Sequence, residues 1–261
     1  MIFHRVVAQI KAQHWTAIAI DFVIVVLGVF IGIQVANWNQ DLADRRLGRA
    51  YAERLAAELE LNLASQRTVV AYYDAVLEGI ERTDALLADS KADPRALVAN
   101  AYRASEMNYS PQIRATWDEV VSSGDAYLLP HAAIESGIAD YYARDAARDA
   151  YDMLWGSAYR HRVRTIIPLA VQKALRDGCG DVRNQAQYIA GFARECVLDV
   201  ELESIIATAA ALRADAVLGA ELRYQYSYVS AARININRDV IFLERAIDVL
   251  KGPRPSTGTG P

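Results

Sequence analysis

The sequence predicts an all-α protein: one N-terminal transmembrane helix, then a long stalk helix and an antiparallel helical bundle. Three observations predict this. Residues Thr16 to Ala36 form a 21-residue run in which Asp21 is the only formal charge. Beyond it, apolar residues recur three or four positions apart over most of the chain, the period of an amphipathic helix. Alternating apolar and polar residues, the mark of a half-buried strand, occur only around Tyr224, Tyr226 and Tyr228, a stretch too brief to decide anything.

At 1.5 Å per residue the apolar run is about 32 Å long, close to the thickness of a bilayer's hydrocarbon core. Trp15 and Trp38 bracket it, and Asn37-Trp38-Asn39 marks the exit into headgroups, so Trp15, Asn37, Trp38 and Asn39 are expected at the membrane interface. A removable signal peptide shares the basic start (Arg5, Lys11) and the apolar core. The run is longer, however, than the usual signal core of about 7–15 residues, and Gln34-Val35-Ala36 matches a cleavage site poorly. The expected organisation is a flank over 1–14, the membrane helix over 15–38, the stalk over 39–92, a bundle over 93–251 and a disordered Gly/Pro/Ser/Thr tail over 252–261.

At 100° per residue, Gly28 and Gly32 fall about 20° to either side of Asp21, so the three share one helix face. Gly28-Val-Phe-Ile-Gly32 is a GxxxG motif, which lets two helix backbones approach closely. A homodimer or another membrane protein is the partner this face implies, beside the lipid bilayer itself. The plainer alternative is that glycine is common in membrane helices. Asp21 either pairs across that face or is an acid tolerated near the interface, about 9 Å along the axis from Trp15.

Flanking charge does not fix the orientation: Arg5 and Lys11 stand on one side, and Arg45, Arg46, Arg49 and Arg54 on the other. The two cysteines, Cys179 and Cys196, are close enough in sequence for a disulfide across a short loop, although two unrelated buried thiols would have the same spacing. A disulfide requires an oxidising compartment, which puts the N-terminus in the cytoplasm and the large domain outside it.

In order along the chain, Leu55, Leu59, Leu63, Val70, Tyr73, Leu77, Ile80 and Leu87 carry the stalk helix to about Ser90. Asp93-Pro94 supplies a cap and first-turn proline for the next helix, and Ser110-Pro111 repeats that signal for a short helix with Trp117, Val120 and Val121 inward. Gly124 is placed to end it in a left-handed cap. Pro130 opens a long helix through Ile134, Ile138, Tyr141, Tyr142, Met153 and Leu154, which breaks before Pro168. Cys179 begins an irregular segment. Helix resumes after Asp199, with Val229, Ile236, Val240, Leu243, Ile247 and Leu250 holding the period to the end.

No catalytic constellation emerges. His4, His14, His131 and His161 are scattered without HExxH spacing, and His131 with Glu135 reads as a helix-surface pair. There is no CxxC, phosphate loop or nucleophile elbow. Glu58, Glu60, Asp145 and Asp149 read as a charged helix face, and Arg160, Arg162 and Arg164 as a solvated one, with contact to lipid headgroups or an anionic ligand as the alternative. The 14 tyrosines either line a pocket between helices or fill the bundle, and Trp117 and Trp155 admit the same two readings. Setting aside Arg5, Lys11 and Asp21 from the 28 basic and 32 acidic residues leaves 26 and 31, about five charges negative. That balance gives no surface for nucleic acid. No metal or other cofactor is expected.

Asp21-Phe22-Val23-Ile24-Val25-Val26-Leu27-Gly28, Ile31-Gly32-Ile33-Gln34 and Asn37-Trp38-Asn39 resemble the opening of an uncharacterised bacterial family of single-pass membrane proteins, a domain of unknown function. Trp117, Ser123-Gly124, Leu128-Leu129, Ile134, Ile138 and Tyr141-Tyr142 resemble the same family further along. The resemblance implies an inner-membrane anchor and this architecture, and it carries no reaction. The function expected is a non-enzymatic, membrane-anchored helical module that binds a small ligand or an envelope protein. A pilin-like structural subunit is the alternative, although no Gly-Phe processing site precedes Asp21.

Overall fold

The computed structural model describes the backbone of residues 15–185, 187, 189–193 and 196–252. Residues 1–14, with Arg5, Lys11, His4 and His14, lie outside the described residues, as does the tail from 253; so do the side chains of Trp15 and Asp21. The fold is all-α apart from one two-stranded hairpin. Thirteen elements follow one another along the described residues. They are α1 (Trp15–Ala88), α2 (Pro94–Arg103), α3 (Ala115–Ser123), a 3-10 turn (Asp125–Leu128), α4 (His131–Glu135), α5 (Ile138–Ala143), α6 (Ala146–Trp155), α7 (Ala158–Ile166), α8 (Leu169–Cys179), β1 (Asp181–Arg183), β2 (Ile189–Phe192), α9 (Leu202–Ala214) and α10 (Leu218–Lys251).

The chain divides into two units, Met1–Tyr51 and Ala52–Pro261, and the division falls inside α1. In the first unit every side chain described from Phe22 to Gln40 is exposed, most of them large and apolar.

In the second unit α1 buries one stripe. Leu55, Leu59, Val69, Tyr72, Tyr73, Val76 and Ile80 are shielded from solvent, and Glu58, Asn62, Ser65 and Gln66 are buried within the same stripe. Its remaining face carries an ion-pair ladder to α10. Glu60 meets Lys251, Arg67 meets Glu244 at 2.6 Å, and Asp74 meets Arg233 at 2.8 Å. Ascending α1 by one heptad from Glu60 to Arg67 descends α10 by one heptad from Lys251 to Glu244, which fixes the two helices as antiparallel. Exposed pairs of this kind contribute only about 0.2–1 kcal/mol each, so their main effect is on register. Around this pair, α2 packs on α7, α8 and α9, and α10 packs on α4, α6 and α7. The α2 residues Leu97, Val98 and Ala101 are fully buried in the common core, and the Tyr159 hydroxyl donates to the Ala101 carbonyl at 3.0 Å.

Several start and stop signals act as the sequence implies. Asp93 caps α2 by accepting from Arg95 N and Ala96 N, with Pro94 in the first turn. Gly124 closes α3 in the left-handed conformation, φ 78°. Other expectations are corrected. Ser110-Pro111 does not open a helix, because the segment from Asn108 to Ile113 is held alongside α1 by side-chain bonds described below; α3 starts only at Ala115. Of its expected inner face, Trp117 and Val120 are buried and Val121 is exposed.

The long helix expected from Pro130 is four short ones. Gly137 (φ 95°) separates α4 from α5, extended Arg144 ends α5, and Asp145 and Ser157 cap α6 and α7 by accepting from Arg148 N and Arg160 N. Met153 falls on an exposed face, and Ile134 is marginally exposed. The hairpin is too short to announce itself by alternation. β1 pairs antiparallel with β2 (Asp181 opposite Phe192, Val182 opposite Gly191, Arg183 opposite Ile189), and β2 carries the bulge, between Gly191 and Ile189. Tyr224, Tyr226 and Tyr228 all lie on helix α10.

Candidate functional site

Among the described residues, two places stand out as surfaces for something outside the chain. The first is the apolar segment of α1. A Cβ placed on Gly28 or Gly32 would meet nothing within 4 Å, so the groove made by these two glycines is open. Phe22, Val29, Phe30 and Trp38 are each more than half exposed, and Asn37 and Asn39 are exposed beside Trp38. This is the one candidate span among the described residues that is long and apolar enough to cross a membrane.

The second is a cleft of about 490 Å³ in the helical unit, between α6 and the middle of α10. Ala146, Ala150, Ala231, Ala232 and Asn235 line it, and Met153 and Phe242 add a larger apolar surface. Small residues at the helix crossing leave this volume open. Four charged groups line it: Arg144, Asp149, Arg238 and Asp239. Phe242 stacks on Tyr141 with ring centres 5.5 Å apart. Burial pushes the Asp239 carboxyl up to about 6; Arg144 pulls against that rise and Asp145 adds to it. Burial also raises the Tyr141 hydroxyl, with the Asp239 and Asp145 charges adding, and that hydroxyl makes no hydrogen bond among the described residues.

Many of the other polar groups are consumed by the fold. Glu58, expected on a charged helix face, is instead buried and 5 % exposed. It accepts from Thr116 N at 2.6 Å, Trp117 N at 3.4 Å and the Tyr142 hydroxyl at 2.7 Å. Arg114, at the N-cap of α3, makes no capping bond with its side chain, so Glu58 caps that helix from α1, where a carboxylate also meets the positive end of the helix dipole. Tyr142, stacked on Trp117 at 5.2 Å, has its hydroxyl pKa raised by burial and by donating to Glu58. One turn on, Asn62 exchanges two bonds with the Ile113 backbone at 2.7 and 2.8 Å, Ser65 bonds Ser110 at 2.6 Å, and Tyr73 donates to Asn108 O at 3.0 Å. The signal for this ladder is in the sequence: Glu58, Asn62 and Ser65 stand at helical spacing within the apolar stripe of Leu55, Leu59, Val69 and Tyr73.

The basic cluster of α7 is likewise not a solvated face. Arg164 meets Glu106 at 2.8 Å and covers the Tyr102 ring at 3.5 Å, and Arg160 and Arg164 bond Ser105 past the end of α2, where cations suit the helix C-terminus. Arg162 binds Glu221 at 2.6 Å and Asp215 at 3.1 Å, which holds its guanidinium above its ordinary pKa. Asp145 accepts from Tyr109 as well as capping α6, and Asp149 faces the cleft. Glu60 is the partner of Lys251. His131 and Glu135 form an exposed pair at 3.1 Å. Of the tyrosines, Tyr72, Tyr73, Tyr141, Tyr142 and Tyr159 are core, whereas Tyr224 and Tyr226 are exposed; Trp155 is exposed beneath Arg160.

Cys179, at the end of α8, is bonded to Cys196, 17 residues on, closing the hairpin into a loop. The two chain segments approach closely enough that a Cβ on Gly178 would lie 1.8 Å from the Val197 carbonyl oxygen, so this turn accepts only glycine. Phe192 of the hairpin packs on Tyr72 at 4.8 Å, and Arg103 donates to Ala193 O at 2.6 Å. Among the described residues no group of three or more His, Cys, Asp or Glu is placed to hold a metal ion. No protein-family model, curated protein or solved structure matches the chain.

Proposed function

We propose that this protein is a membrane-anchored, non-enzymatic binding module. One helix tethers it to a bacterial inner membrane, and the helical unit binds a small ligand or an envelope-protein partner outside the cytoplasm. The observation that carries the proposal is the uncovered apolar segment of α1. Nineteen residues from Ile20 to Trp38 would hold most of their apolar surface in water unless lipid or another membrane helix covered it, at about 25 cal/mol for each Å². The open groove at Gly28 and Gly32 favours close approach of a second helix there, from another copy or another membrane protein. The Cys179–Cys196 bond favours an oxidising compartment for the large unit, with the N-terminus in the cytoplasm. The motif from Asp21 to Asn39 supports membership of the bacterial single-pass family it resembles.

The test is extraction of membranes from cells making the full chain. Alkaline carbonate should leave the protein in the pellet and detergent should release it; a carbonate-soluble protein that retains residues 1–40 would overturn the anchor. Gly28→Ile with Gly32→Ile should lower self-association in a membrane reporter, and unchanged association would remove the packing face while leaving the tether.

A further inference from the structure

The cleft between α6 and α10 gathers charged groups of both signs around an apolar surface. Elsewhere in the helical unit several opposite charges form ion pairs, among them Arg54 with Glu119, Arg114 with Asp118, Arg148 with Asp152, and Arg162 with Glu221. Arg144, Asp149, Arg238 and Asp239 line the cleft, two of each sign, and form no ion pair with each other or with any other described residue; the first three are exposed and Asp239 is half-buried. Asp239 accepts no hydrogen bond among the described residues although it is partly buried, and Arg144 donates only to the Asp140 carbonyl. Removing a carboxylate from water without giving it a donor is unfavourable, and a bound cation restores what was lost. The arginines likewise have donors to spare for an anion. With them the cleft is lined by alanines, Met153 and Phe242, which offer an apolar surface, and by Asn235, whose amide can donate to or accept from a ligand.

Resting on the reading of this unit as a binding module, we infer that the cleft binds a small apolar zwitterion of the amino-acid type. Its ammonium group lies against Asp239, its carboxylate against Arg238 and Arg144, and its aliphatic part against Met153 and Phe242. A lone organic cation would leave two guanidinium groups unanswered beside it, and a lone carboxylate would face two acids. Only a ligand of both signs satisfies both pairs at once. The volume, about 490 Å³, lies within the range of small-molecule sites, about 300–1,000 Å³. Asp239 would bind in its charged form, so binding should strengthen as the pH rises through about 6, with Arg144, Arg238, Asp145, Asp149 and Tyr141 the charged and titratable groups around it.

The experiment is calorimetric titration of the full chain in detergent micelles with three probes of one skeleton: L-leucine, 3-methylbutylamine (ammonium alone) and 4-methylpentanoate (carboxylate alone). Leucine is expected to bind, and each half-ligand to bind about tenfold more weakly or worse, as loss of one charged hydrogen bond of about 1.5–3 kcal/mol requires. Asp239→Asn and Arg238→Gln should each weaken leucine about tenfold, and Ala231→Trp, which fills the cleft from an exposed position, should abolish binding. All three variants should keep the wild-type helical circular dichroism. Absence of leucine binding at about 10 mM, binding undiminished by Asp239→Asn or Ala231→Trp, or equal affinity for the amine alone overturns the inference. Such a result removes this ligand class only; the tether stands or falls on membrane extraction.

Discussion

Within the single helix α1, residues 20–38 and residues 55–80 are both rich in Leu, Val and Ile, yet they solve opposite problems. In the first stretch the apolar side chains go all the way round and none is buried; in the second they form a stripe, shielded to nearly zero exposure, with an exposed polar face opposite. A helix that is apolar all round needs an apolar surround, and one apolar on a stripe needs a protein core. The comparison also separates two uses of polar residues. Around the first stretch they mark the edge, as Asn37 and Asn39 do, whereas Glu58, Asn62 and Ser65 are built into the stripe and hold the neighbouring chain.

The sharpest way to break the comparison is to make one truncation in each stretch. Leu59→Ala should lower the stability of the helical unit by about 2–5 kcal/mol, because it opens a cavity in a packed core. Leu27→Ala should leave the thermal unfolding of that unit unchanged. Differential scanning calorimetry of the detergent-solubilised protein reads both, and equal effects would mean that the first stretch is packed like the second.

Next in size is Glu58. Glu58→Ala strands Thr116 N, Trp117 N and the Tyr142 hydroxyl in a buried setting and should cost about 3 kcal/mol, whereas Glu58→Gln, which keeps an acceptor, should cost about half as much. Denaturant titration followed by tryptophan fluorescence checks this, since Trp117 sits on the affected helix. If both variants unfold like the wild type, Glu58 is a surface acid after all.

The disulfide closes a loop of 17 residues, for which the chain-entropy account gives about 3 kcal/mol. Cys179→Ser with Cys196→Ser should therefore lower the midpoint of thermal unfolding by about 6–10 °C for a unit of this size. Dithiothreitol should have the same effect on the wild type and none on the double variant.

The smallest effect concerns Asp239. Its carboxyl ordinarily titrates near 3.8 and is pushed up to about 6 in the fold, so between those values the folded state holds the proton that the unfolded state has lost. Stability contributed by this group is thus lost as the pH rises from about 4 to about 6. Asp239→Asn should flatten the dependence over that window and gain on the order of 1 kcal/mol at pH 7, after allowance for partial exposure.

The sequence makes the helices and the apolar segment of α1 legible because both depend on local patterns: the run from Thr16 to Ala36 with one charge, the 3.6-residue period, and Asp93-Pro94. It misleads where a distant partner decides. Ser110-Pro111 looks like a helix start, but Asn62 and Ser65 hold the surrounding backbone in an irregular path. Met153 continues the apolar pattern after Pro130, but the caps at Asp145 and Ser157 and the turn at Gly137 break that pattern into helices with separate faces. The arginines of α7 look solvated because their partners, Glu106, Asp215 and Glu221, are more than fifty residues away in sequence. The cleft is hidden for the same reason. Asp239 and Asp149 lie on helices that meet only in three dimensions, and alanine, the residue that makes room for the cavity, carries no functional signal of its own.

The most direct test of the tether is cysteine accessibility in sealed proteoliposomes, because the native pair Cys179 and Cys196 is oxidised and silent. Leu27→Cys and Ala207→Cys, each exposed in the fold, are treated with a water-soluble maleimide. The account predicts that Leu27→Cys is inert until the vesicles are dissolved and denatured, while the outward-facing fraction of Ala207→Cys reacts at once. Modification of both at the same rate before dissolution would show that water, not lipid, surrounds residues 20–38.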